Sequence, residues 1–142
     1  MPQNVMPWNN PKALREASQV NDAYHTDSGT TSHVLTAANL TGAAVGVVLA
    51  MTGTLAAGAT GTTDTAANII AAVPNRYPGQ TYRLRIINES SGAFSWTIAG
   101  GTGVTVTGTA TVAQNAWREF LVTLGATLTT VTLQSVGTGT NS

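Results

Sequence analysis

From His33 onward the sequence is a succession of short runs rich in threonine and valine, broken by glycine after roughly every ten residues. Branching at Cβ hinders a side chain against a helical turn and suits the pleated strand, while glycine supplies the turns between runs. A chain punctuated in this way must stack its strands into two sheets or close them into a barrel. The period-two pattern assigns faces. Tyr82, Leu84 and Ile86 alternate with Arg83, Arg85 and Ile87. Val45, Val47, Leu49 and Met51 share a face, and Val48 and Ala50 opposite them are also apolar, as an interior strand requires. Ser90-Ser91-Gly92 reads as a hairpin joining Tyr82–Asn88 to Ala93–Ala99, with Phe94, Trp96 and Ile98 inward. Gln114-Asn115 and Gly125 read as later turns around a strand Trp117–Leu124, and Val131 and Leu133 point inward from the last strand. Trp96 and Trp117 are both expected in the core.

Three segments depart from this rhythm. Thr54–Thr62 (TLAAGATGT) reads as a loop of small residues. Ala66–Val73 reads as a short helix, capped by Thr63 or Thr65 and ended by Pro74, with Asp64 at its positive end. The third is the N-terminal stretch, whose first thirty residues hold five of the twelve charged residues, the only lysine and three of the five prolines. Asn10-Pro11 is a helix-start signal there, but Lys12–Val20 gives only two turns. Met6, Trp8, Leu14 and Tyr24 are large apolar groups with too little periodicity to build a core of their own. The expected architecture is therefore an all-β sandwich or barrel, jelly-roll-like, over residues 32–142, with one short inserted helix and an extended N-terminal arm over residues 1–31. Gly42–Met51 is about half as long as a membrane-spanning helix and reads as a strand.

Charge limits what such a domain can do. Charged residues are 8% of the chain and sum to zero. Ser28–Thr63, Ser90–Trp117 and Phe120–Ser142 contain none, and 25 threonines take their place. Six cations balanced by six anions, without a basic run, disfavour nucleic acid as a partner. A neutral surface of hydroxyls and methyls has no self-repulsion to hold copies apart, which suits close packing in a repeating assembly. The C-terminal strands also lack the lysines that usually protect sheet edges, so those edges are expected to be closed by a barrel or by a partner subunit.

Candidate chemistry is sparse. With no cysteine, thiolate sites and disulfides are excluded. His25, Asp27 and His33 are the one group with metal-ligand types, and nothing near them completes a tetrahedral set. Ser28 beside His25 and Asp27 lacks a nucleophile elbow. Asp64, Glu89 and Glu119 each have a structural role at a helix start, at a strand end and beside Arg118. The chain is read as having no catalytic residue, no metal site and no cofactor. Arg83, Arg85 and Arg118, with Glu119, are instead expected to form an ion-pair cluster on a sheet face or at a subunit interface, the role for which the planar guanidinium is suited.

The segment Ala71–Gly139 resembles small proteins encoded in the structural modules of tailed bacteriophages. The likeness lies in Ala72-Val73-Pro74-Asn75, Leu84-Arg85-Ile86-Ile87-Asn88, Ser91-Gly92-Ala93-Phe94-Ser95-Trp96, Gly101-Thr102-Gly103-Val104 and Ala113-Gln114-Asn115-Ala116-Trp117-Arg118. It covers Leu35–Thr63 more weakly and the arm not at all. Proteins of this kind look like head decoration, or cement, proteins. The resemblance implies a non-enzymatic subunit on the outer capsid surface of the virion, assembled in the host cytoplasm. Its partners would be the major capsid protein and copies of itself, a homotrimer in preference to a dimer, with no membrane involved. Met6, Trp8, Leu14, Tyr24, Arg83, Arg85 and Arg118 are then the expected capsid or subunit contacts. The alternative reading is a tail-associated or fibre module binding a host glycan through Tyr77, Tyr82 and Trp96.

Overall fold

The alternation of β-branched and small residues resolves, in a computed structural model describing residues 22–42 and 46–141, into ten strands and two short helices among those residues. In chain order they are β1 (Ala23–Asp27), β2 (His33–Leu35), α1 (Ala37–Leu40), β3 (Gly46–Met51), β4 (Ala59–Thr63) and α2 (Ala66–Ala72). There follow β5 (Thr81–Asn88), β6 (Trp96–Ala99), β7 (Val104–Thr107), β8 (Thr111–Val112), β9 (Ala116–Leu124) and β10 (Val131–Thr140). One sheet has the order β1-β3-β5-β9-β10-β7 and the other β2-β4-β6-β8. Two sheets facing each other across a shared apolar core make the expected sandwich-like β architecture.

From β1 to β8 each strand lies in the sheet opposite its predecessor. The chain therefore coils around the core, and β1, β3 and β5 run parallel in one sheet while β2, β4 and β6 run parallel in the other. Five of the eight strand pairings are parallel, whereas a jelly roll is built from antiparallel strands. The expected β5–β6 hairpin is not formed, because those strands occupy different sheets. Only β9 and β10 make a hairpin of consecutive strands, turning at Gly125.

Residues 91–94 of the β5–β6 crossing are exposed, but backbone groups at its buried ends need partners. Asn88, fully buried at the end of β5, supplies them. Its amide nitrogen donates to Phe94 O at 3.0 Å and Val112 O at 3.1 Å, and its carbonyl accepts from Ser90 N at 3.1 Å. Ser90 Oγ in turn donates to Met51 O and accepts from the buried Trp96 Nε1. Phe94, expected inward, is 38% exposed because it lies in the crossing segment before β6 begins.

Thr54–Gly58 of the TLAAGATGT segment is the expected loop, but Ala59–Thr62 belong to strand β4. Its inward residues Ala59, Gly61 and Thr63 are small because their neighbours fill the space: a Cβ on Gly61 would stand 3.0 Å from Leu35 Cδ1. Ala66–Ala72 is the expected helix, and Thr65 is its cap, accepting from Asn68 N. A second helix, α1, was not foreseen. Its four residues are capped by Thr36 and packed on α2, β1 and β3. Asp64 serves both helix starts, accepting from Ala37 N, Thr65 N and Asn68 Nδ2. The Asn68 hydrogen bond, and then those from the two backbone amides, hold its carboxyl below the usual range. Tyr82 Oη donates to Leu40 O at 2.8 Å, and burial of the phenol pushes its pKa upward.

Within the stretch read as an arm, Ala23–Asp27 is strand β1, paired with β3. Met6, Trp8 and Leu14, and the Asn10-Pro11 helix start, lie outside the described residues.

Replacing Asn88 with alanine leaves interior carbonyls of Phe94 and Val112 without their donor. The expected loss is about 2–3 kcal/mol in urea denaturation, against less than about 0.5 kcal/mol for Thr127→Ala in an exposed turn.

Candidate interaction surface

The outer face of the six-stranded sheet is set by register. Tyr24, Val48, Arg85 and Glu119 stand in one row across β1, β3, β5 and β9. The next row is Thr26, Ala50, Ile87 and Trp117, ending on Gly139 of β10. On the other side, Gly46, Arg83 and Leu121 align.

Charge on this face is paired but not balanced, because two guanidinium groups share one carboxylate and leave a formal +1. Glu119, with 16% of its side chain exposed, accepts from Arg83 Nη1 at 2.8 Å and from Arg85 Nη2 and Nε at 2.8 and 3.2 Å. Partial desolvation pushes the Glu119 pKa up, but the hydrogen bonds and charges of Arg85 and Arg83 outweigh it and hold the carboxyl below its ordinary value. The Arg85 guanidinium also lies 4.2 Å from the centre of the Trp117 ring. Trp117, expected in the core, is on this outer face and half-buried. Gly139 makes room for it, since a Cβ there would meet the indole Cζ2 at 2.6 Å.

Arg118 is not part of the cluster. Alternation along β9 turns it to the opposite face from Glu119, where it donates to Thr111 O at 2.8 Å and Ser135 Oγ at 2.9 Å. It links β9 to β8 of the other sheet and to β10. Tyr24 is 60% exposed on β1, at the margin of this surface. A shallow groove of about 370 Å³ opens beside it, with Asp22 at one side and Arg83, Arg85 and Glu119 at the other.

His25, Asp27 and His33 do not converge. His25 Nε2 donates to Thr41 O, away from the other two. His33 Nδ1 lies 2.8 Å from Thr31 O and Nε2 lies 2.9 Å from Asp27 Oδ2, with the ring edge-on to Trp96. Two acceptors on two ring nitrogens favour the imidazolium. The Thr31 carbonyl raises the His33 pKa most, burial opposes it, and Asp27 adds to the rise. Among the described residues no three metal-ligating side chains come together. Of the aromatics considered for a glycan platform, Tyr82 and Trp96 are buried at 4% and 0% exposure, and only Tyr77 is open, at 58%.

One feature escaped the sequence reading. β7 flanks β10 only along Val131–Gln134 and Gly108 packs beside Ser135, so Val136–Thr140 has a neighbour on its β9 side alone among the described residues. The missing lysines on the C-terminal strands were the available signal, but the strand pairing is needed to find which stretch is the edge. No protein-family model matches the chain, and no curated protein or solved structure is significantly similar to it.

The two compensated pairs give opposite pH responses. His33, raised above its ordinary 6.5, contributes fully below that value and loses its contribution as pH rises through the folded pKa. Glu119, lowered from 4.5, contributes fully above that value and loses its contribution as pH falls through the folded pKa. Urea midpoints are expected to be highest between these values, with His33→Gln flattening the alkaline decline and Glu119→Gln the acid one.

Proposed function

We propose that this chain is a structural virion subunit, a head decoration protein of a tailed bacteriophage that binds the outer capsid surface and braces it, without enzymatic activity. The observation that carries the reading is the neutral, unsealed character of the β-domain. Its large sheet shows a broad face whose ion pairs, among the described residues, are those of Glu119 with Arg83 and Arg85, and long stretches of uncharged strand end in edges with no described neighbour. Such a surface packs repeatedly against protein without the desolvation of unpaired charge. The resemblance of Ala71–Gly139 to phage structural proteins points the same way.

In this reading the major capsid protein and further copies of the chain are the partners. Tyr24, Arg83 and Arg85 lie on the face that meets them, and the N-terminal segment that carries Met6, Trp8 and Leu14 supplies additional contacts. Arg118 is a strut between the sheets and not a contact. The finer description of the fold that fits is a coiled two-sheet sandwich, not a jelly roll. The alternative of a glycan-binding tail module is weakened by the burial of Tyr82 and Trp96.

The test is co-sedimentation of the purified chain with phage heads that lack it, followed by electron microscopy of the coated particles. Saturable coating is expected, and heads left bare by the intact chain would overturn the reading. Deleting residues 1–21, which spares strand β1, is expected to leave the urea midpoint unchanged and abolish coating. Full occupancy by the shortened chain would remove the N-terminal segment from the contact.

A further inference from the structure

The outer edge of β10 has the properties of a strand that pairs with itself. Beyond Gln134 no described strand lies on that side and Gly108 packs beside Ser135, leaving Val136–Thr140 as a five-residue edge. The direction of its backbone groups follows from two hydrogen bonds. Val131 N donates to Gly103 O, on the β7 side, whereas Asn141 N donates to Asn115 O, on the β9 side. Both are odd-numbered, so the sense of alternation reverses between them, and the register shift between Ser135 and Gly137 is where it does so. After that bulge the even residues Thr138 and Thr140 direct their N–H and C=O groups away from β9. The side chains of Val136, Thr138 and Thr140 are exposed, Val136 at 45%.

Natural edges of this length are usually protected by lysine, proline, an inward charge or a bulge. Val136–Thr140 (VGTGT) has none of the first three, and the bulge between Ser135 and Gly137 leaves the backbone groups of Thr138 and Thr140 pointing outward. Having no ionisable side chain, the segment also meets no like-charge repulsion when it lies against a copy of itself. The geometry points to a two-fold homodimer in which Val136–Thr140 pairs antiparallel with the same segment of a second copy, joining the two large sheets into one. The axis falls at Thr138. That register sets Thr138 opposite its counterpart and Val136 opposite Thr140 twice, which covers the exposed valine. An axis at Gly139 would leave Val136 outside the ladder. Pairing limited to this segment leaves β7 in place on each copy, because β7 ends beside Gln134. The dimer supplies a self-contact for the proposed virion role and rests on that role only for its setting.

The chain's lack of cysteine makes the contact directly testable. Full-length protein is expected to sediment as a dimer. Thr138→Cys is expected to form a disulfide-linked dimer under mild oxidation, while Tyr77→Cys, on a distant turn, stays monomeric on a denaturing gel. Thr138→Lys places two cations face to face and is expected to weaken the dimer by roughly tenfold or more. Thr138→Val, which loses the hydroxyl but adds no charge, is expected to retain it. Circular dichroism of each variant reports whether the fold is kept. If Thr138→Lys unfolds, the cross-linking of Thr138→Cys decides. A monomer or trimer for the wild type, or absence of cross-linking at position 138 in folded protein, overturns the inference. Co-sedimentation with heads separates this from the virion role: coating without dimerisation sinks the edge contact alone, and dimerisation without coating sinks the virion role alone.

Discussion

The Asn88 carboxamide stands where the chain leaves the large sheet for the small one, and the architecture depends on the problem it solves. Where the chain passes from one sheet to the other, backbone groups beside the buried strand ends are shielded from water and need protein partners. Asn88, Ser90 and the Trp96 indole form one continuous set of hydrogen bonds between β5, the crossing segment, β6 and β8. Among the described residues no buried side-chain nitrogen or oxygen lacks a hydrogen-bond partner. With the polar groups satisfied, Phe120, Leu84, Leu49, Met51 and Ile98 can close on each other around Trp96 without water.

The sheet order has a consequence for the surface. Strand pairing brings sequence-distant residues side by side, and the antiparallel match of β5 with β9 is how Arg83 and Arg85 reach Glu119. In a chain with twelve charged residues, three gather into one ion-pair group with a formal charge of +1, and few charges are left for the remaining sheet faces. Neutral faces and unguarded edges are hazards for a protein that lives alone, since they invite edge pairing. They are assets for a subunit whose surroundings are copies of itself and a protein lattice. The proposed virion role and the β10 contact both rest on this physical distinction.

Much of the fold was legible in the sequence because burial on one face writes itself as alternation. Tyr82, Leu84 and Ile86, and later Val131 and Leu133, announced their inward faces, and Thr65 with Pro74 bracketed α2. The failures have specific causes. β4 was hidden because its inward positions are alanine, glycine and threonine, a composition dictated by Leu35 on the neighbouring strand and not by any local preference. The Ser90-Ser91-Gly92 turn after Asn88 imitated a hairpin, since a turn that returns to the same sheet and one that crosses to the other use the same residues. Trp117 looked like core because size and apolarity predict burial, yet its partners, Arg85 and Gly139, come from two other strands.

The sequence by itself determined that this protein is made of short strands, that its few charges sum to zero, and that it has no thiolate chemistry, because propensity, periodicity and composition are local quantities. Which strands are neighbours, which way they run, where the arginines find their carboxylate and which edge is left open were decided only in three dimensions. Hydrogen bonds between strands are indifferent to side-chain identity, so the pairing was settled by how Trp96, Phe120 and their neighbours fill a single core.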